Sequence, residues 1–106
     1  MAIWKIENGL DLVITALCLD YKRRQRAIES GTVSKRTDTE FRYYNFKIFD
    51  AASEIVGEKF AEIYIEEIGK RTGFAKTAID CASEITYKNL KKMIKENIAR
   101  KLHLCD

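Results

Sequence analysis

Apolar side chains recur at three- and four-residue intervals along most of the chain, the period of helices that are buried on one face. Leu10, Val13, Ile14, Leu17 and Tyr21 predict a first helix over residues 8–29. Residues 30–36, Ser-Gly-Thr-Val-Ser-Lys-Arg, hold turn residues without a helical period and read as a connecting loop. Thr37-Asp38-Thr39-Glu40 has the form of a capping box, so a second helix is expected to open at Thr37 and to stop at Val56-Gly57. Its buried face would carry Phe41, Tyr44, Ile48, Ala51, Ala52 and Ile55. A third helix is marked by Phe60, Ile63, Tyr64, Ile65 and Ile68, with Gly73 as its expected end. A short segment over 75–82 follows, and Ser83 then reads as the cap of a last helix, expected to be the longest, with its apolar stripe on Ile85, Leu90, Ile94, Ile98 and Leu102. Residues 2–6 are the one strand candidate and are too short to change the fold class.

Composition supports this pattern. The chain has 106 residues, 46% of them apolar, enough for one modest core and one domain, residues 1–106. It has no proline and five glycines, too few turn-makers for a sheet built on many hairpins. Cys18, Cys81 and Cys105 are odd in number and widely spaced, which predicts reduced thiols in a cytoplasmic setting. The first seven residues lack a basic start followed by an apolar run, and no stretch reaches the roughly 20 apolar residues of a membrane span. The expectation is a chain without export signal or membrane partner.

Charge is uneven rather than large. The net charge is +3, distributed as −2 over residues 1–20, +5 over 21–37, −5 over 38–69 and +5 over 70–106. Two basic blocks flank an acidic middle. In the last block Lys88, Lys91, Lys92 and Lys95 are spaced i, i+3, i+4 and i+7, one helical face, as a phosphate backbone requires. Lys76 precedes them in the same block. In the first block Arg23 and Arg24, within the basic run 22–26, form a second candidate contact. Enzyme chemistry finds little to build on: His103 is the one histidine, near the chain end, and neither a metal cluster nor a glycine-rich phosphate loop is visible. No catalytic residue, metal or cofactor is expected.

A helix-turn-helix needs a small residue in its first helix, a residue tolerant of positive φ at the turn, and an apolar residue that packs the second helix back on the first. Gly69, Gly73 and Ile79 meet these needs in a first register, whose reading helix begins at Ala75. This stretch resembles small phage repressors of the Cro type. In a second register residues 78–82 support a reading helix that opens at Ser83 and exposes Thr86, Tyr87, Lys88, Lys91 and Lys92.

The run Ser83-Glu84-Ile85-Thr86-Tyr87-Lys88-Asn89-Leu90-Lys91-Lys92, closing with Ile98-Ala99-Arg100-Lys101-Leu102, resembles the C-terminus of ArpU/RinA-type phage transcriptional regulators. The family's second aromatic is Lys88 here, and Asp80-Cys81-Ala82 replaces its usual Leu-Gly type of turn. The resemblance implies a sigma-region-4-like helix-turn-helix that activates late phage genes, with Ser83, Tyr87, Lys91 and Lys92 on the reading-helix motif. The expected fold is therefore all-α: a small bundle of four to five helices, with 1–57 as core and dimerisation part and 58–106 as the helix-turn-helix part. The expected function is that of a phage or mobile-element transcription regulator that binds double-stranded DNA, as a homodimer where the operator is palindromic. The alternative is a small phage-encoded helical inhibitor, a counter-defence factor, that binds a host defence or nucleic-acid-handling protein.

Overall fold

The apolar repeat at the start of the chain extends through Asp20, yet the helix does not continue through it. In the computed structural model, which describes residues 8–80 and 83–105, the segment forms α1 (Asn8–Leu19) and α2 (Tyr21–Ser30). The bend is held by Arg24, whose guanidinium donates from Nη2 to the Leu17 carbonyl (2.5 Å) and from Nε to Asn45 Oδ1 (2.7 Å). Asn45 in turn donates to the Tyr21 carbonyl at 3.0 Å. A charge this deeply buried is tolerable because its donors are matched. Arg24 is 3% exposed, so it is not the nucleic-acid contact its sequence position suggested.

The third helix, α3 (Lys35–Val56), starts two residues before the expected box. Ser34 is its cap, extended at φ −61° and ψ 158°, with Oγ accepting from the Thr37 N–H. Thr37 therefore lies inside the first turn. With 22 residues α3 is longer than the last helix with 18, which the sequence pattern makes the longest. Gly57 ends α3 at φ 86° and ψ 158°, a conformation essentially reserved for glycine, and α4 (Glu58–Lys70) follows at once. The end of α4 also departs from expectation: Arg71, at φ 55°, takes the left-handed position expected of Gly73. The Thr72 N–H then closes on the Glu67 carbonyl, and the Arg71 N–H on that of Ile68.

After α4 come a single 3-10 turn (Phe74–Lys76) and a non-helical stretch over 77–80, and Ser83 caps α5 (Glu84–Lys101) by accepting from the Thr86 N–H at 3.1 Å. Neither register of the helix-turn-helix is formed among the described residues. The first needs a helix from Ala75 where there is one short turn, and in the second residues 78–80 are not helical, while 81 and 82 lie outside the described residues. The strand candidate at 2–6 also lies outside them.

The fold is all-α, and its core draws on every helix: Ile14 and Cys18, Tyr21, Ile48 with Ala51 and Ala52, Ala61 with Tyr64, Ile65 and Ile68, then Tyr87, Ile94, Ile98 and Ala99. The alanines on α3, α4 and α5 let backbones approach where a longer side chain would hold them apart. Among the described residues no helix is long and apolar enough to cross a membrane. Cys18 is 2% exposed and carries a free thiol, which burial pushes up to about 12 against the opposing charges of Arg24 and Lys95. A thiol-specific reagent at neutral pH should therefore label Cys18 only as fast as the chain unfolds, with rapid native labelling as the contrary result. Cys81 lies outside the described residues.

Candidate nucleic-acid interface

α5 has to bury one stripe while presenting its cations, and its side chains divide accordingly. Tyr87, Ile94, Ile98 and Ala99 face inward. Lys91 and Lys95 border this stripe rather than oppose it, and both heads are engaged within the chain. Lys91 Nζ donates to the Thr72 carbonyl at 2.7 Å and stands 4.8 Å from the Tyr87 ring centre. Lys95 pairs with Asp11 of α1 at 2.9 Å. Lys88 is exposed but meets Glu84 on its own helix at 2.7 Å. Lys92, further round, is exposed and makes no ion pair among the described residues, as does Lys76 in the 3-10 turn. The four lysines thus share one side of α5 without forming the outward row that their spacing predicts.

Tyr87 is the clearest correction. It is 1% exposed, and its hydroxyl donates to Glu67 Oε1 at 2.6 Å, with the Thr72 carbonyl also in reach at 3.0 Å. It cannot read a base edge without leaving the core. Ser83 and Thr86 stay exposed at the start of α5 but are joined to each other through the cap. Arg23, exposed on α2, is held by both oxygens of Asp20 and lies 5.3 Å from the centre of the Phe41 ring.

Under Tyr87 sits a polar centre that sequence spacing did not reveal. Glu67 on α4 is 7% exposed, and its carboxylate accepts from the Tyr87 hydroxyl, the Thr77 hydroxyl and the Ala78 N–H. Burial pushes this carboxyl up, but the hydrogen bonds from Thr77, Tyr87 and Ala78 and the charge of Lys91 prevail and hold it below the usual carboxylate value. One anion thus ties the 71–80 segment to both α4 and α5. Burial pushes the Lys91 ammonium down, the Lys95 charge adds to this, and Glu67 opposes both.

Where α1, α4 and α5 meet, these contacts leave a cleft of about 280 Å³, bordered by Asp11, Arg71, Thr72, Gly73, Lys91 and Lys95. Three cations converge on it against one carboxylate. Arg71 is exposed and was not among the expected site residues; the signal that could have found it is the basic pair Lys70-Arg71 directly before Thr72-Gly73. Preorganised cations beside a polar backbone segment are suited to hold an anionic group. Among the described residues no group of three His, Cys, Asp or Glu side chains could hold a metal ion. Compared with protein-family models, curated proteins and solved structures, the chain matches none.

Proposed function

We propose that the protein binds double-stranded DNA through its phosphate backbone, as a phage or mobile-element regulator, with the cleft of Arg71, Lys91 and Lys95 as the seat of a phosphate. The observation that carries this reading is the convergence of three cations on one concave site, with Lys88, Lys92 and Lys76 exposed on the neighbouring segments. Because Tyr87 is buried, contact by this face positions the duplex and leaves sequence preference to other groups or to DNA shape.

The test is duplex binding across a salt series. Arg71→Gly with Lys88→Ala and Lys92→Ala removes three charges at exposed positions, and glycine suits the left-handed conformation at residue 71. Each lost phosphate contact should flatten the slope of log affinity against log salt by about 0.9. Tyr87→Phe should leave sequence preference unchanged. A triple variant that binds as tightly as the parent at about 150 mM salt, roughly physiological ionic strength, would refute this role.

One observation favours a second reading, a helical inhibitor of a host nucleic-acid-handling protein. Ile85 and Met93 are 73% and 47% exposed on α5 beside Lys88 and Lys92. A phosphate backbone makes no use of such apolar surface, whereas a protein partner buries it. Loss of partner binding on Ile85→Ser, in a chain that shows no salt-dependent affinity for duplex, would put this reading first.

A further inference from the structure

We propose that the phosphate seated in the cleft of Arg71, Lys91 and Lys95 is a terminal one, a phosphate monoester at the end of a DNA strand rather than a diester within the backbone. This rests on the cleft being a phosphate seat and names which phosphate enters it.

Charge favours the monoester. Arg71, Lys91 and Lys95 border the cleft against the one carboxylate of Asp11, which leaves two positive charges in excess. A diester within the backbone brings a single negative charge, whereas a monoester brings close to two at neutral pH and three free oxygens. Each cation has donors left for them. Lys91 gives one N–H to the Thr72 carbonyl and Lys95 gives one to Asp11 Oδ1, so each ammonium keeps two of its three. Arg71 is exposed and makes no ion pair among the described residues, so its planar fork is free to clasp two oxygens at once. The two lysines are also short of counter-charge: burial pushes the Lys91 ammonium down and the Lys95 charge adds to this. An anion placed between them relieves that repulsion.

Depth favours it too. The Lys95 side chain is only 24% exposed and Lys91 is half-buried, so neither ammonium stands on the open surface, while Arg71 lies at the rim. A phosphate within a strand is held between two sugars and presents its two free oxygens sideways. A terminal phosphate hangs from one ester oxygen and can enter end-on. The cleft of about 280 Å³ is several times the roughly 30 Å³ of a water molecule and has room for the whole group. Its wall at Gly73 is bare, since even an added Cβ would meet nothing within 4 Å.

The experiment is competition by fluorescence anisotropy, at near-physiological salt, among three duplexes of one sequence: phosphorylated at every strand end, ending in hydroxyls, and closed by a hairpin at both ends. The first should bind roughly tenfold tighter than the other two, as one or two added charge-assisted hydrogen bonds imply, and those two should match each other. Arg71→Gly should lose most of this preference. Asp11→Asn, with its fold checked by circular dichroism, removes the opposing carboxylate and should tighten binding to the phosphorylated duplex alone, a gain that a merely structural role of Asp11 would not produce. Equal, salt-sensitive binding of all three duplexes overturns the strand end and leaves contact with the backbone standing, whereas binding to none overturns both. A nucleoside monophosphate that displaces the phosphorylated duplex at matched concentration assigns the cleft to a free nucleotide and overturns the strand end as well. Weaker binding of the phosphorylated duplex by folded Asp11→Asn also counts against the proposal.

Discussion

Gly69→Ala should destabilise the fold by about 2 kcal/mol, although alanine is the better helix former by about 1 kcal/mol. A Cβ at this position would lie 2.5 Å from both the backbone N and the Cα of Leu19 and 2.9 Å from the carbonyl carbon of Cys18. These are main-chain atoms, so no rotamer change relieves the overlap; α1 as a whole must move off α4. That shift would open the packing of Ile14 and Cys18 against Ile65 and Ile68, buried residues of the same core. Chemical denaturation should show an earlier midpoint with an unchanged slope. Gly73→Ala, where an added Cβ meets nothing within 4 Å, is the matched control and should change stability little. Equal stability of Gly69→Ala and the parent would mean that α1 and α4 are not in this close contact.

Gly69 also shows why the helices are legible in the sequence while neither helix-turn-helix register is formed among the described residues. A small residue inside a helix signals close backbone approach, and that signal was sound, but the approaching segment is α1, some fifty residues earlier, rather than the turn that follows. The 3.6-residue period exposed the helices because each must bury a stripe whatever its neighbour is, and Gly57 and Ser83 marked boundaries because their roles are local. The bend at Asp20 was hidden because it depends on Arg24 reaching Asn45, 21 residues away in sequence. Ser34 and Thr37 were both locally competent caps for α3, and only the backbone shows that Ser34 serves.

The lysines of α5 carry the same lesson toward the site. Spacing places Lys88, Lys91, Lys92 and Lys95 on one side of a helix, but not how wide a stripe that helix buries or which acids wait beside it. Asp11, 84 residues from Lys95 in sequence, neutralises one cation, and the Thr72 carbonyl holds another. Arg71, outside the lysine repeat, joins them only because α4 ends in a left-handed turn there. The cleft is a product of chain ends and crossings, which no period records.

Glu67→Ala should have the larger effect, about 3 kcal/mol, because it takes the charged acceptor from the half-buried Thr77 hydroxyl, from the Ala78 N–H and from the buried Tyr87 hydroxyl, at about 1–3 kcal/mol for a donor left without a partner. Tyr87 keeps the Thr72 carbonyl as an alternative acceptor, which limits the loss. Glu67→Gln is the finer probe: an amide can accept from Tyr87 and Thr77 at one end, but its NH2 group then confronts the Ala78 N–H, so it should fall between alanine and the parent. The same site sets a pH dependence whose sign follows from the carboxyl being held below its ordinary 4.5. A group with a depressed folded-state pKa contributes stability that is fully present above 4.5 and is lost as the pH falls through the lower, folded-state value. The parent should therefore lose stability on acidification below about pH 4.5 more steeply than Glu67→Gln, which has no proton to take up there. Because Glu67 holds the 71–80 segment against α5, acid should also loosen the setting of Arg71 and Thr72 beside Lys91. Amide exchange of residues 72–80 would then rise in Glu67→Gln at neutral pH as it does in the parent at acid pH. Parallel stability curves for the two proteins between pH 3 and 6, the range around ordinary carboxylate titration, would remove Glu67 from this role.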